Sequence, residues 1–318
     1  MKENINKTTN KKIWREFESK AHLFDPIIQY AKNKSDPFLE SILIRNLILF
    51  FSGKQLQAIN NLTNRLYIGI EKKFYIELYL LLLQLLTEKK QLTDNQKPKY
   101  IFGLGTGRNG STSLYHLFKE QPNTFSSHEY PPIIPWEGDA QCLDFHLRRT
   151  ALLSKAFKYL VDVSHWWLPH VETIMKHHPN SIFICLRRNK KDTINSFLKI
   201  KGYGKAGAIN HWMRHDGRKW QFNFWDRAYP KYNVQSMPEA LEQYWNQYYQ
   251  TCEQLEKKYP IQIKLFETEN LSEKEEQIRI LEFCGYKDPI TSNEIKKNVS
   301  SVADGIVGWK DLEKLASS

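Results

Sequence analysis

The stretch GLGTGRNGSTSL, residues 103 to 114, constrains the fold more than any other part of the chain. It follows Tyr100-Ile101-Phe102, which is short, apolar and β-favouring, and precedes Leu114-Tyr115-His116-Leu117-Phe118, where apolar residues fall at helical spacing. The loop therefore joins a strand to a helix. Glycines at such a junction allow turns closed to other residues, and the free N–H groups of the helix start then converge on an anion, aided by the helix dipole. A phosphate is the expected guest.

A nucleotide-binding Walker A loop reads G-x-x-x-x-G-K-[ST], and from Gly105 this chain gives G-TGRN-G-S-T. Ser111 stands in place of the lysine, while Thr112 keeps a hydroxyl that can serve magnesium. Arg108 restores a positive charge, with a planar fork of donors suited to two oxyanion oxygens. A second cationic turn follows at residues 181 to 198, SIFICLRRNKKDTINSFL, where a strand-like run meets Arg187-Arg188 and then a helix carrying Ser196. In a parallel sheet both turns lie at the carboxyl edge, where ligands of open α/β sheets bind. Read alone, this second turn is equally well a solvated charge run.

Strand, then [KR]-[SN]-G-[ST]-T, then helix resembles the phosphosulfate loop of sulfotransferases that use 3′-phosphoadenosine 5′-phosphosulfate (PAPS). The resemblance implies that Arg108, Asn109, Gly110, Ser111, Thr112 and Ser113 cradle the 5′-phosphosulfate. It implies that Arg188 and Ser196 hold the 3′-phosphate, at about a nucleotide's distance from the first site. Lys190 stands where the family usually has proline. The product would be 3′,5′-adenosine bisphosphate (PAP), and no metal is required.

Sulfuryl transfer needs a base for the acceptor's proton. The segment QPNTFSSHEYPP, residues 121 to 132, reads as a second strand ending in His128-Glu129. It is similar to the base-bearing segment of the tyrosylprotein and heparan branches, which implies Glu129 as base with His128 as runner-up. On a regular strand the two side chains point to opposite faces, so one alone would face the nucleotide. The third strand, Lys158 to Val163, resembles a segment in which the family carries a lysine that steadies the transferred group. Val163 occupies that place here, leaving Arg108 as the nearest replacement. Asp162 also reads as a Walker B carboxylate, which keeps a P-loop small-molecule kinase as an alternative.

Downstream, a long helix begins near Ala240, Ile261 to Phe266 reads as a fifth strand, and a helix ends in LEFCGY. Gly305 to Lys310 resembles the family's G-x-x-G-x-W-K cap, one residue short, with Ala303-Asp304 where a basic pair is usual. The resemblance spans about Lys99 to Lys310. Alternating strands and helices argue independently for a three-layer α/β domain with a central, mainly parallel sheet and a P-loop-like phosphate site.

The first 97 residues form an expected all-α N-terminal domain, followed by the sulfotransferase-like α/β domain over 98–318. Asp36-Pro37 reads as a helix start and Gly53 as a stop. The apolar runs 38 to 51 and 71 to 90 are interrupted by Arg45 and Glu77 and fall short of the about 18 clean apolar residues of a span. Cys142, Cys185, Cys252 and Cys284 show no C-x-x-C, which suits a reducing compartment and gives no zinc site. The N-terminus leads into no apolar signal core, so a cytoplasmic protein is expected. Histidines 165, 170, 177 and 178 show no metal spacing and read as surface or packing residues.

A formal charge of +11 favours anionic partners. The aromatic and basic segment 203 to 232, with Trp212, Arg214, Arg218, Trp220, Phe224, Trp225 and Arg227, reads as an acceptor lid or as packing, with a nucleic-acid surface a distant third. The acceptor is a hydroxyl compound; carbohydrate, lipid headgroup, phenol and peptide tyrosine all remain open. Besides the kinase, a non-catalytic nucleotide- or partner-binding protein is the alternative of another class.

Overall fold

A computed structural model describes residues 18–34, 37–52, 54–66, 72–88, 97–205, 207–214 and 224–292. The chain divides into two compact units, one taking in the residues up to Thr93 and the other most of the rest. In the first, α1 spans Asp25–Asn33, α2 Pro37–Phe51, α3 Gln55–Leu66 and α4 Lys72–Thr87. Pro26 sits in the first turn of α1, where its missing N–H costs nothing. The α4 sequence is apolar on nearly every side, and residues from Phe74 to Leu86 are buried around most of its circumference. Asp36 and Gly53, read as helix start and stop, lie outside the described residues. No described helix is long and apolar enough to cross a membrane.

The second unit is α/β. Its strands are β1 (Lys99–Leu104), β2 (Thr124–His128), β3 (Tyr159–Val163), β4 (Ile182–Arg187) and β5 (Ile263–Glu267). Its helices are α5 (Ser111–Lys119), α6 (Ala140–Leu153), α7 (Val171–His177), α8 (Lys190–Ile200), α9 (Met237–Lys258) and α10 (Lys274–Phe283). Among the described residues the strands form one sheet in the order β2-β3-β1-β4-β5, every pair parallel.

Parallel strands need crossovers, and right-handed crossovers fix which face each helix covers. Only the β1-to-β2 connection runs towards the β2 edge, so α5 belongs on one face and α6 to α9 on the other. The core divides accordingly. Ile101, Val161, Ile184 and Leu186 pack with Leu114, Leu117 and Phe118 of α5 and with Ile280 and Leu281 of α10. Phe102, Leu104, Phe183 and Cys185 pack with Cys142, Val171, Ile174, Phe197, Tyr244 and Tyr248. Both faces are thus dry, as the near-continuous apolar strands require. β5 starts two residues later than the apolar run suggests, because Ile261 lies in a turn and is 81% exposed.

The order places β1 beside β4, with their outgoing connections heading in opposite directions. That is the switch point of an open parallel sheet, where a crevice forms beyond the strand ends. The loop 105–110 and the turn Arg187-Arg188-Asn189 flank it.

Candidate active site at the β1–β4 switch point

The loop after β1 is held from below by tyrosines of α9. The Gly105 N–H donates to the Tyr248 hydroxyl at 2.8 Å, which itself donates to the His165 carbonyl at 3.0 Å, while Tyr244 donates to the Thr106 carbonyl at 3.1 Å. Gly105 is obligatory: its φ is +146°, and a Cβ there would lie 1.6 Å from the Asn109 amide nitrogen. That amide is fully buried and donates to the Leu186 carbonyl at 2.8 Å. Asn109 therefore contributes to the loop's shape, with its backbone carbonyl accepting from Thr268 at 2.7 Å. Gly110, at φ 85°, precedes α5 in the left-handed region, and no side chain caps the helix. The first-turn N–H groups of α5 are thus left to an external acceptor. Ser111, Thr112 and Ser113 form that turn, Thr112 exposed and the two serines half-buried.

Arg108 also has positive φ, 56°, which turns its side chain across the loop towards α8. Its Nε donates to Ser196 Oγ at 3.1 Å, and Arg188 Nη1 donates to the Arg108 carbonyl at 3.0 Å. Residues of the two expected anion sites thus touch one another, Arg108 through Ser196 and Arg188 through the Arg108 carbonyl. Burial, then the neighbouring Arg188 charge, lowers the Arg108 pKa. Asn189 takes the place of a helix-starting proline by capping α8, its side chain accepting from the Asp192 N–H at 3.3 Å. Neighbouring cations are already neutralised: Arg187 pairs with Glu253 and Glu267, and Lys190 with Glu242. Among the described residues, neither Arg108 nor Arg188 has a carboxylate within salt-bridge distance.

At the end of β2, strand alternation breaks. Glu129 has φ 49°, and its N–H donates both to the Val163 carbonyl at 3.0 Å and to Ser164 Oγ at 3.1 Å. His128 Nε2 is hydrogen-bonded to Ser111 Oγ at 2.9 Å, at the first residue of α5. The Glu129 carboxylate stands 3.5 Å from His165 Nδ1, within reach of the Arg108 and Lys201 charges. Both side chains therefore address the loop, contrary to what regular alternation predicts. Burial works to raise the Glu129 pKa, but His128 and His165 outweigh it and hold the carboxyl at about 2.

His165, read from the sequence as a surface or packing residue, packs in the core and also lies beside Glu129. It is 3% exposed, faces Glu129, and its Nε2 has no hydrogen-bond partner among the described residues. It stacks on Tyr229 at 4.3 Å between centroids, and Tyr229 stacks on His211 at 5.3 Å. Burial, then the Glu129 charge, raises the Tyr229 phenol well above its ordinary range. Behind this stack, Lys201 Nζ lies 2.8 Å from His211 Nε2, and His211 Nδ1 lies 2.6 Å from Asp226 Oδ1. Lys231 binds the carbonyls of His211, Asp226 and Tyr229, tying residues 207–214 to residues 224–232. Trp212 belongs to the packing: it is fully buried against Phe197, Tyr229 and Tyr244. Arg218 and Trp220, like the 305–310 cap, lie outside the described residues.

Asp162 is committed elsewhere. Its Oδ1 accepts from Ser164 at 2.8 Å and Trp167 Nε1 at 3.0 Å, and its Oδ2 from Ser127 at 2.6 Å, with Arg149 Nη1 at 3.5 Å. Arg149 in turn lies 3.6 Å from the Tyr130 ring centre. The carboxylate is thus engaged on both oxygens within the core, which weighs against the Walker B reading of Asp162. No sequence motif announced the Arg149 partner, because the pair forms across a crossover. No protein-family model matches the chain, and no curated protein matches it.

Proposed function

We propose that this protein is a PAPS-dependent sulfotransferase acting on a hydroxyl acceptor, with its α-helical N-terminal part a separate domain. The observation that carries the reading is the pair Arg108 and Arg188 at the β1–β4 edge, joined through Ser196 and the Arg108 carbonyl and lacking carboxylate partners among the described residues. Next to them stand the uncapped start of α5 and an ionised carboxylate, Glu129. Oriented donors suit a ligand that carries two phosphate groups and a sulfate, and His165 Nε2, without a hydrogen-bond partner among the described residues, fits an acceptor-side oxygen.

In the reaction, the acceptor oxygen attacks sulfur as the bond from sulfur to the bridging phosphate oxygen breaks. PAP leaves and a sulfate ester forms. Glu129 receives the acceptor's proton, while the Arg108 loop and the α5 start stabilise the charge that develops on the leaving phosphate. A carboxylate with a pKa near 2 is a weak base. The several negative charges of a bound donor raise it, so base strength is gained when the donor is in place.

The test is calorimetric titration of the full chain with PAP, ADP and ATP, the last two with and without magnesium. Preference for PAP independent of magnesium, lost in Arg188→Ala, is expected. Preference for ATP with magnesium would replace this reading with a small-molecule kinase. A nucleotide site with no turnover on any hydroxyl acceptor would make the chain a binding protein.

A further inference from the structure

We infer that Lys201, oriented by His211 and Asp226, is a third anion-binding cation of this site and contacts the transferred sulfuryl group. The inference rests on the sulfotransferase reading and goes beyond it, because nothing in the sequence around FLKIKGYG marks Lys201 as part of a site.

The Lys201 ammonium has three N–H bonds, and its one hydrogen-bond partner among the described residues is His211 Nε2 at 2.8 Å. That partner is fixed in role. His211 Nδ1 lies 2.6 Å from Asp226 Oδ1, so the ring donates there, and Nε2 is left as an acceptor. Burial, then the Lys201 charge, pushes His211 down to about 4, so the ring stays neutral at physiological pH and does not cancel the lysine's role. Lys201 thus has two donors unused. No carboxylate of the described residues comes within salt-bridge distance of it.

Position supplies the second half. Arg108 and Arg188 engage the loop and α8, at the nucleotide end of the patch. The charge of Lys201 acts on both Glu129 and Arg108, and the chain of contacts Lys201–His211–Tyr229–His165 leads to the carboxylate that takes the acceptor's proton. The transferred group must pass between donor and acceptor, in that same space. His165, Tyr229 and His211, stacked at 4.3 and 5.3 Å, form a rigid wall that keeps Lys201 and Glu129 in register. The groups that face the ammonium are therefore Glu129, Arg108, His211 and Asp226. Holding a half-buried ammonium without a carboxylate in salt-bridge distance among the described residues costs free energy, which a sulfuryl oxygen would offset. His211 and Asp226 are positioning residues in this scheme.

The experiment compares the affinities of PAPS and PAP, which differ only in the sulfuryl group, by calorimetry on the full-length chain. Lys201→Met is expected to leave PAP affinity within about twofold and to weaken PAPS by about tenfold or more, the value of one lost charge-assisted hydrogen bond. Lys201→Arg should keep most of the PAPS preference. For positioning, His211→Leu should lower the PAPS:PAP ratio, and His211→Gln, which can still accept from Lys201 and donate to Asp226, should restore it. Retained PAP binding reports that each variant is folded. If Lys201→Met leaves the PAPS:PAP ratio unchanged while PAP still binds, the lysine merely balances Glu129 and the inference falls alone. If the wild type binds neither nucleotide, the sulfotransferase reading falls and takes the inference with it.

Discussion

Neighbouring strand ends in this sheet carry charge and treat it in opposite ways. At the end of β3, Asp162 is closed off: two hydroxyls, an indole N–H and the Arg149 guanidinium satisfy both oxygens within the core. Beyond the ends of β1 and β4, Arg108 and Arg188 are held by neutral groups and have no carboxylate partner among the described residues. The difference separates a polar network whose charges are matched within the fold from one whose cations have only neutral partners. A buried charge with its counter-charge in place is finished, whereas cations gathered around neutral acceptors leave attraction for an anion from outside.

The largest effect should come from breaking the finished network. Arg149→Met leaves the Asp162 carboxylate buried with hydroxyl and indole donors only. Removing one partner of a buried pair costs about 3–5 kcal/mol, so a large fall in the urea midpoint is expected. Asp162→Asn in the same chain should recover part of it by removing the stranded charge, giving a positive coupling in a double-mutant cycle. A loss under about 1 kcal/mol for Arg149→Met would mean that the ring contact with Tyr130, not the charge, holds this arginine.

Glu129 stands between the two regimes, since it is ionised, partly exposed and ringed by histidines and cations. Its folded-state pKa, about 2, lies below the ordinary 4.5. A depressed carboxyl stabilises the fold fully above its unfolded value and loses that contribution as pH falls through the folded one. The stability difference between wild type and Glu129→Gln should therefore be constant above about pH 5 and shrink steadily towards pH 2. A difference that stays flat across this window would show that His128 and His165 do not act on the carboxylate.

Arg187 and Arg188 offer the sharpest contrast, because they are neighbours in sequence with opposite surroundings. Arg188→Ala should weaken PAP by about 10- to 100-fold, the worth of a charge-assisted contact, with stability altered by under about 0.5 kcal/mol. Arg187→Ala removes pairs with Glu253 and Glu267 and should cost under about 1 kcal/mol of stability, leaving PAP affinity within about twofold. Calorimetry and urea unfolding on both variants check the pair. The reverse pattern would place the anion on the wrong side of the strand.

Much of this layout was readable from the chain. Glycine-rich turn, apolar strand and helical spacing are local signals, so β1, α5, β4 and α8 were legible within a residue or two, and the parallel sheet followed from alternation. What the sequence concealed depends on contacts between distant elements. Lys201 at the end of α8, His211 and Asp226 lie apart in the sequence and meet through the two hydrogen bonds of the His211 ring. Glu129 and His128 both face the loop because one residue takes a positive φ, which breaks the period on which strand reasoning relies. Arg149 reaches Asp162 across a crossover, a pairing that no spacing rule encodes.

The smallest expected effect isolates the hydroxyl that links the two arginine turns. Ser196 lies half-buried on α8, and its Oγ accepts from Arg108 Nε at 3.1 Å. Ser196→Ala removes that acceptor and slightly improves helix propensity, so stability should not fall. PAP affinity should fall by about fivefold, near 1 kcal/mol, the net value of one hydrogen bond. The same change in an Arg108→Ala background then decides how the hydroxyl acts. If Ser196 touches the 3′-phosphate directly, the fivefold loss persists when Arg108 is gone, and this is the expected result. If the loss disappears, Ser196 serves only to aim Arg108. The patch at β1 and β4 would then be one arginine-centred site, with Arg188 alone left for the second phosphate.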